Sequence, residues 1–151
     1  MTLELPHRSL SEGATTRIPV YGRNYENISG WQGTITFDPG LLKSVSFIPG
    51  AINVGENQVN MSQIDHGMFS ISYHSLMEQT FGADEILFEI EVISLRDYDD
   101  IDLFSIGSDL TRAEAYRGYS EVVPLDVSTI SEISNQILGC LLYTSPSPRD
   151  S

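Results

Sequence analysis

Along much of this chain apolar and polar residues alternate one by one, in short runs closed by Gly, Pro, Asn and Asp. Successive side chains of an extended strand face opposite sides of a sheet, so each such run predicts a strand with one dry and one wet face. Trp31, Gly33, Ile35 and Phe37 alternate with Gln32, Thr34 and Thr36. That run stops at Asp38-Pro39-Gly40, where Pro fixes φ and Gly permits a reversal. Phe69, Ile71 and Tyr73 alternate with Ser70, Ser72 and His74, and Ile86, Phe88, Ile90 and Val92 enclose Glu89 and Glu91. Near the end Val123, Leu125 and Val127 alternate with Pro124, Asp126 and Ser128. A proline has no amide hydrogen to give to a ladder, so this last run is predicted at a sheet edge.

Weaker runs predict further strands at Leu3 to Leu5, Arg17 to Tyr21, Ser44 to Phe47, Gln58 to Met61, Ile101 to Phe104 and Leu110 to Tyr116. Pro39 to Lys43, Leu76 to Phe81 and Ile130 to Ile137 invite a helical turn, and none is long enough to make a second layer. Many short, two-faced strands imply an all-β domain of two packed antiparallel sheets, with about nine or ten strands and an aromatic and aliphatic core. Neither a repeat nor a second domain is discernible.

Composition narrows the function. At 151 residues, 40% of them apolar, one core suffices. Eight Lys and Arg against 21 Asp and Glu give −13, a field that repels phosphate backbones and anionic membranes. Nucleic acid is therefore not an expected partner, nor is membrane insertion, for which no apolar run is long enough. Met1 to Pro6 lacks the basic and apolar regions of a signal peptide. Cys140 is the single cysteine and cannot form an internal disulfide. It opens Cys-Leu-Leu-Tyr-Thr-Ser-Pro-Ser-Pro-Arg-Asp-Ser, which resembles a translated sequencing-adapter read-through. The expected division is a folded domain over 1–130, a linker or frayed end over 131–139, and a non-native tail over 140–151.

Sites of chemistry are sparse. Asp97, Asp99, Asp100 and Asp102 offer oxygen ligands for a weak calcium site, but their spacing is not that of a calcium loop, and a solvated acidic turn is the expected reading. His7, His66 and His74 lie far apart without Cys partners, so no zinc site is expected. With no nucleophile elbow, phosphate loop or nucleotide fingerprint, the chain reads as non-enzymatic and free of cofactors. Trp31 would suit a sugar ring if exposed, yet it shares parity with Gly33, Ile35 and Phe37 and is predicted in the core, as is Tyr73. The outward side chains Gln32, Thr34, Thr36, Ser70 and Ser72 are the candidate partner-binding residues. They offer donors and acceptors without bulk.

The residues between the strands also resemble a known family. Leu3-Glu4-Leu5-Pro6, Ser11-Glu12-Gly13 and Thr16-Arg17-Ile18-Pro19-Val20 are followed by Ile28-Ser29-Gly30-Trp31-Gln32-Gly33-Thr34-Ile35-Thr36-Phe37-Asp38-Pro39-Gly40-Leu41-Leu42. This order is similar to that of cohesin domains, whose central strand ends in an aromatic-Asp-Pro turn. Leu110 to Tyr116, with Val122 to Val127 behind, resembles the family's closing hairpin. The resemblance implies a jelly-roll sandwich shared with carbohydrate-binding modules. It also implies a sheet face that receives a dockerin, whose own loops hold calcium, within secreted or surface-bound bacterial machinery for degrading polysaccharides. Where dockerin-binding cohesins carry an Asn and an Asp near the start of the central strand, this chain has Gly30 and Gln32. Direct polysaccharide binding, or a spacer role in an adhesin, are the alternatives the same architecture allows.

Overall fold

The structure, a computed structural model, describes residues 1–98, 103–118 and 121–130. Eleven strands are present among the described residues: β1 (Thr2–Pro6), β2 (Thr15–Arg23), β3 (Ile28–Thr36), β4 (Leu42–Pro49), β5 (Val59–Asn60), β6 (Met68–Gln79), β7 (Phe88–Ser94), β8 (Ser105–Gly107), β9 (Glu114–Arg117), β10 (Glu121–Pro124) and β11 (Asp126–Ile130). They form two sheets. One has the order β11-β1-β2-β7-β4; the other runs β10-β9-β3-β6-β5, with β8 also paired to β3. The predicted two-sheet sandwich is what the chain builds.

Its core is made by the odd-numbered residues of β3 and β6 facing the even-numbered ones of β2 and β7. Trp31 pairs in register with Tyr73 and Ile35 with Phe69, while Ile18 pairs with Ile90 and Val20 with Phe88. All are buried. The indole of Trp31 stacks on Phe88 across the sandwich, with centroids 6.1 Å apart and planes at 15°. Its Nε1–H donates to the Tyr25 hydroxyl at 3.2 Å, which satisfies a donor that would be costly to bury alone. Phe69 meets both Phe47 and Phe104 edge-on, an arrangement the ring quadrupoles favour. Trp31 and Tyr73 are thus core residues, as their parity predicts.

Several expectations are corrected. The last alternating run is not one strand: Val123 lies in β10 and Val127 in β11, so the chain crosses from one sheet to the other at the buried Leu125. The amino group of Met1 donates to Pro124 O, and Asp126 N donates to Met1 O, which pins the crossing (both 3.1 Å). Both halves are edge strands, as Pro124 foretells. The sheets are not wholly antiparallel either, because β11 pairs with β1 in parallel.

No helical turn forms at Leu76 to Phe81. Instead β6 continues to Gln79, which pairs with Ile28 beyond an irregularity in the ladder. Pro39 to Lys43 holds a hydrogen-bonded turn, in which Leu41 N donates to Asp38 O and Gly40 N to the Asp38 carboxylate. The strand expected at Gln58 to Met61 shrinks to two residues behind a 3-10 turn at Glu56–Gln58. The strand expected at Ile101 to Phe104 lies partly outside the described residues, and β8 begins only at Ser105. The helical turn at Ile130 to Ile137 and the segments 131–139 and 140–151 fall outside them, apart from Ile130 itself, which ends β11.

Candidate functional site

Strand β3 lies inside its sheet and organises the outer face. Its pairings with β9 and β6, and that of β10 with β9, place Val122, Tyr116, Gly30 and His74 in one row across four strands. Pro124, Glu114, Gln32 and Ser72 form the next row. The first row has no side chain at its centre. A Cβ on Gly30 would sit 2.7 Å from Tyr73 O and 3.3 Å from His74 Cα, so the close approach of β6 at this irregularity admits only glycine. On this face lies an open depression of about 650 Å³, lined among others by Gly30, Gln32, His74, Leu76, Tyr116 and Val122.

Farther along β3 the same face is covered. Thr34, in register with Ser70 and with Gly107 of β8, has no exposed surface. Its hydroxyl accepts the N–H of Leu110 at 2.8 Å and of Thr111 at 2.9 Å, and donates to Thr111 O at 3.2 Å. Thr34 therefore fastens the 108–113 loop over the sheet. Ser70, flanked in register by Thr34 and Asn60, is buried too. The Thr36 hydroxyl is taken by Ser105 at 2.6 Å. All five candidates share one face, as their alternation predicts, but the expectation that Thr34 and Ser70 are open to a partner is corrected. Gln32, half-buried, and Ser72, exposed, belong to the open half.

Charge is arranged around the depression. The Tyr116 hydroxyl donates to the Glu114 carboxylate. That hydrogen bond, helped by partial burial, pushes the phenol up to about 12, because ionising it would set two anions against each other. Arg112 Nε lies 3.5 Å from Glu114, and an Arg117 nitrogen lies 3.4 Å from Glu121. The Ser29 hydroxyl reaches Tyr116 O and Gly118 O, and so holds β9 where the ladder is irregular.

Other candidates give less. Asp97 accepts the N–H of Glu12 at 2.8 Å, which makes it a loop tether. Asp99, Asp100 and Asp102 lie outside the described residues, so the acidic turn proposed for calcium is not described. Among the described residues no three His, Cys, Asp or Glu side chains gather as a metal site. Sequence reasoning missed His74, Leu76, Tyr116 and Val122. The first two continue the even parity of Ser70 and Ser72, a signal that was present. The other two depend on the β9–β10 register, which no local pattern reveals.

Several solved structures are similar to this chain in fold. A type I cohesin, crystallised in a cohesin–dockerin complex from Clostridium thermocellum, matches 86% of this chain over 100% of its own length, at 18% identity and TM-score 0.55. The fold is that of cohesin modules. A type II cohesin from Bacteroides cellulosolvens matches at TM-score 0.59 and 10% identity, covering 83% of this chain and 95% of its own. The second type II cohesin module of a cellulosomal adaptor scaffoldin from Acetivibrio cellulolyticus matches at 0.53 and 16%, covering 86% and 92%. No family model matches the sequence, and no curated protein matches it. The cohesin-like fold is thus evident in the backbone, at a sequence identity of 10% to 18%. No helix among the described residues is long and apolar enough to cross a membrane.

Proposed function

We propose that this chain is a non-catalytic interaction module that receives a dockerin-like protein on the open half of its six-stranded sheet. In this reading it serves a secreted or cell-surface bacterial assembly linked to polysaccharide breakdown. The observation that carries the reading is the pair of side-chain rows that cross Gly30 and Gln32, in which Ser72, His74, Val122 and Pro124 are exposed. Gln32 and Ser72 supply hydrogen-bonding groups there, and Thr34 and Ser70 serve the fold beneath the loop. A preformed sheet face suits docking, because little conformational entropy is lost when a partner lands. Support from outside the chain is that similar folds have been crystallised with dockerins.

Polysaccharide binding needs flat rings standing clear of the surface. The one Trp is buried, and the Tyr116 hydroxyl in the open half is engaged by Glu114. The test is titration calorimetry of the folded chain against purified type I and type II dockerins, with and without calcium, beside affinity electrophoresis on polysaccharides. Calcium-dependent binding of a dockerin, weakened by Gln32→Ala, is expected. Retardation by a polysaccharide with silence from every dockerin would reject the proposal.

A further inference from the structure

Two apolar side chains border the depression and stand largely in solvent. Leu76 is 102% exposed and Val122 58%, and Met77, next along β6, is 78% exposed. Scattered exposed apolar residues are ordinary, but a group around a concavity marks a surface that is covered in use. Neither Leu76 nor Met77 serves the core. Their stretch of β6 is shaped by polar contacts instead, with the Ser75 hydroxyl donating to Met77 O at 2.6 Å.

Charge defines the rest of the occupant. Glu121 lines the depression and is more than half exposed, although Arg117 is near it. The Glu78 carboxylate lies against Gly118, another lining residue, and no ion pair engages it among the described residues. We infer that the depression seats one aliphatic side chain of a protein partner over Gly30, between Leu76 and Val122, with a lysine or arginine of that partner beside it on the Glu78 and Glu121 rim. This inference rests on the open half being a partner-binding face. A second copy of the chain fits poorly, since it would bring −13 against −13. A sugar fits poorly as well, because the most exposed apolar side chains here, Leu76 and Val122, are aliphatic and not planar.

The experiment sorts a yeast-displayed, calcium-loaded dockerin library, randomised on its exposed helix positions, against the intact chain. Enriched clones are expected to carry an aliphatic residue beside Lys or Arg. They should lose about thirtyfold in affinity for Leu76→Asp and for Val122→Asp, the scale of an interface hot spot. They should keep their affinity for Lys43→Asp on β4 of the other sheet. Both acidic substitutions fall on exposed positions, and thermal melts verify that the fold is retained. Failure of any clone to enrich, clones lacking the aliphatic and basic pair, or clones indifferent to both substitutions would each overturn the inference. So would a dimer in sedimentation that Leu76→Asp dissolves, because the occupant would then be a second copy. Natural dockerins that bind regardless of Leu76 and Val122 would leave the binding-face reading standing and remove only this inference. Library binders of the expected kind, with natural dockerins silent, would leave this inference standing and remove only a natural dockerin as the partner.

Discussion

Two stretches of β3, a few residues apart on the same face of the same sheet, have opposite fates. Around Thr34 the face is roofed by the 108–113 loop, and the Thr34 hydroxyl is spent on holding that roof. Around Gly30 the neighbouring Ser72, His74 and Val122 are exposed, and the polar groups there, Gln32 and Ser72, have no comparable task in the fold. Polar residues on an outward strand face therefore do not by themselves mark a docking surface. What separates the two stretches is whether a distant segment of the chain has already claimed them.

The contrast can be broken by substitution. Thr34→Val should have the largest effect, because it leaves two part-buried amides without their acceptor; a loss of about 1–2 kcal/mol in denaturant unfolding is expected. Faster hydrogen exchange at Leu110 and Thr111 should accompany it. Unchanged stability would mean that the roof is held by something other than this hydroxyl.

A smaller effect is expected at Tyr116. Its phenol is raised on folding, so the bond to Glu114 adds stability below the ordinary tyrosine value near 10, and that contribution disappears as pH climbs to about 12. Glu114→Gln should bring the ionisation of Tyr116 back toward 10, as followed by ultraviolet absorbance with Tyr116→Phe to identify the band. The smallest effect belongs to Gln32→Ala and Ser72→Ala, each within about 0.5 kcal/mol of the parent in unfolding, as expected for sites outside the packed framework. A large loss at either would move the bare stretch into the structural category and remove the contrast.

Much of the fold was legible from alternation alone. The parity of Trp31, Ile35, Phe69, Ile71 and Tyr73 placed them in the core, and the same parity put Gln32, Thr34, Thr36, Ser70 and Ser72 on one outer face. What alternation cannot show is which stretch of that face stays open. The bonds that close it join residues 76 and 77 positions apart, far beyond any local pattern. Leu76 was hidden for a different reason. Leu, Met, Glu and Gln are good helix formers, and the ladder pairing of Gln79 with Ile28 overrides that propensity. The division of the final run at Leu125 was likewise invisible, since a strand that changes sheets keeps its two-residue rhythm throughout.

The parallel pairing of β1 with β11 sets how the domain carries load. Thr2 lies beside Asp126 and Pro6 beside Ile130, so a pull applied at residue 1 and at residue 130 drags the two strands lengthwise past each other. Five registered residue pairs are then stressed together, in shear, where a hairpin pulled from its open end would unzip rung by rung. Rupture under tension is governed by the unfolding rate, and a clamp of this geometry raises that barrier without any added equilibrium stability.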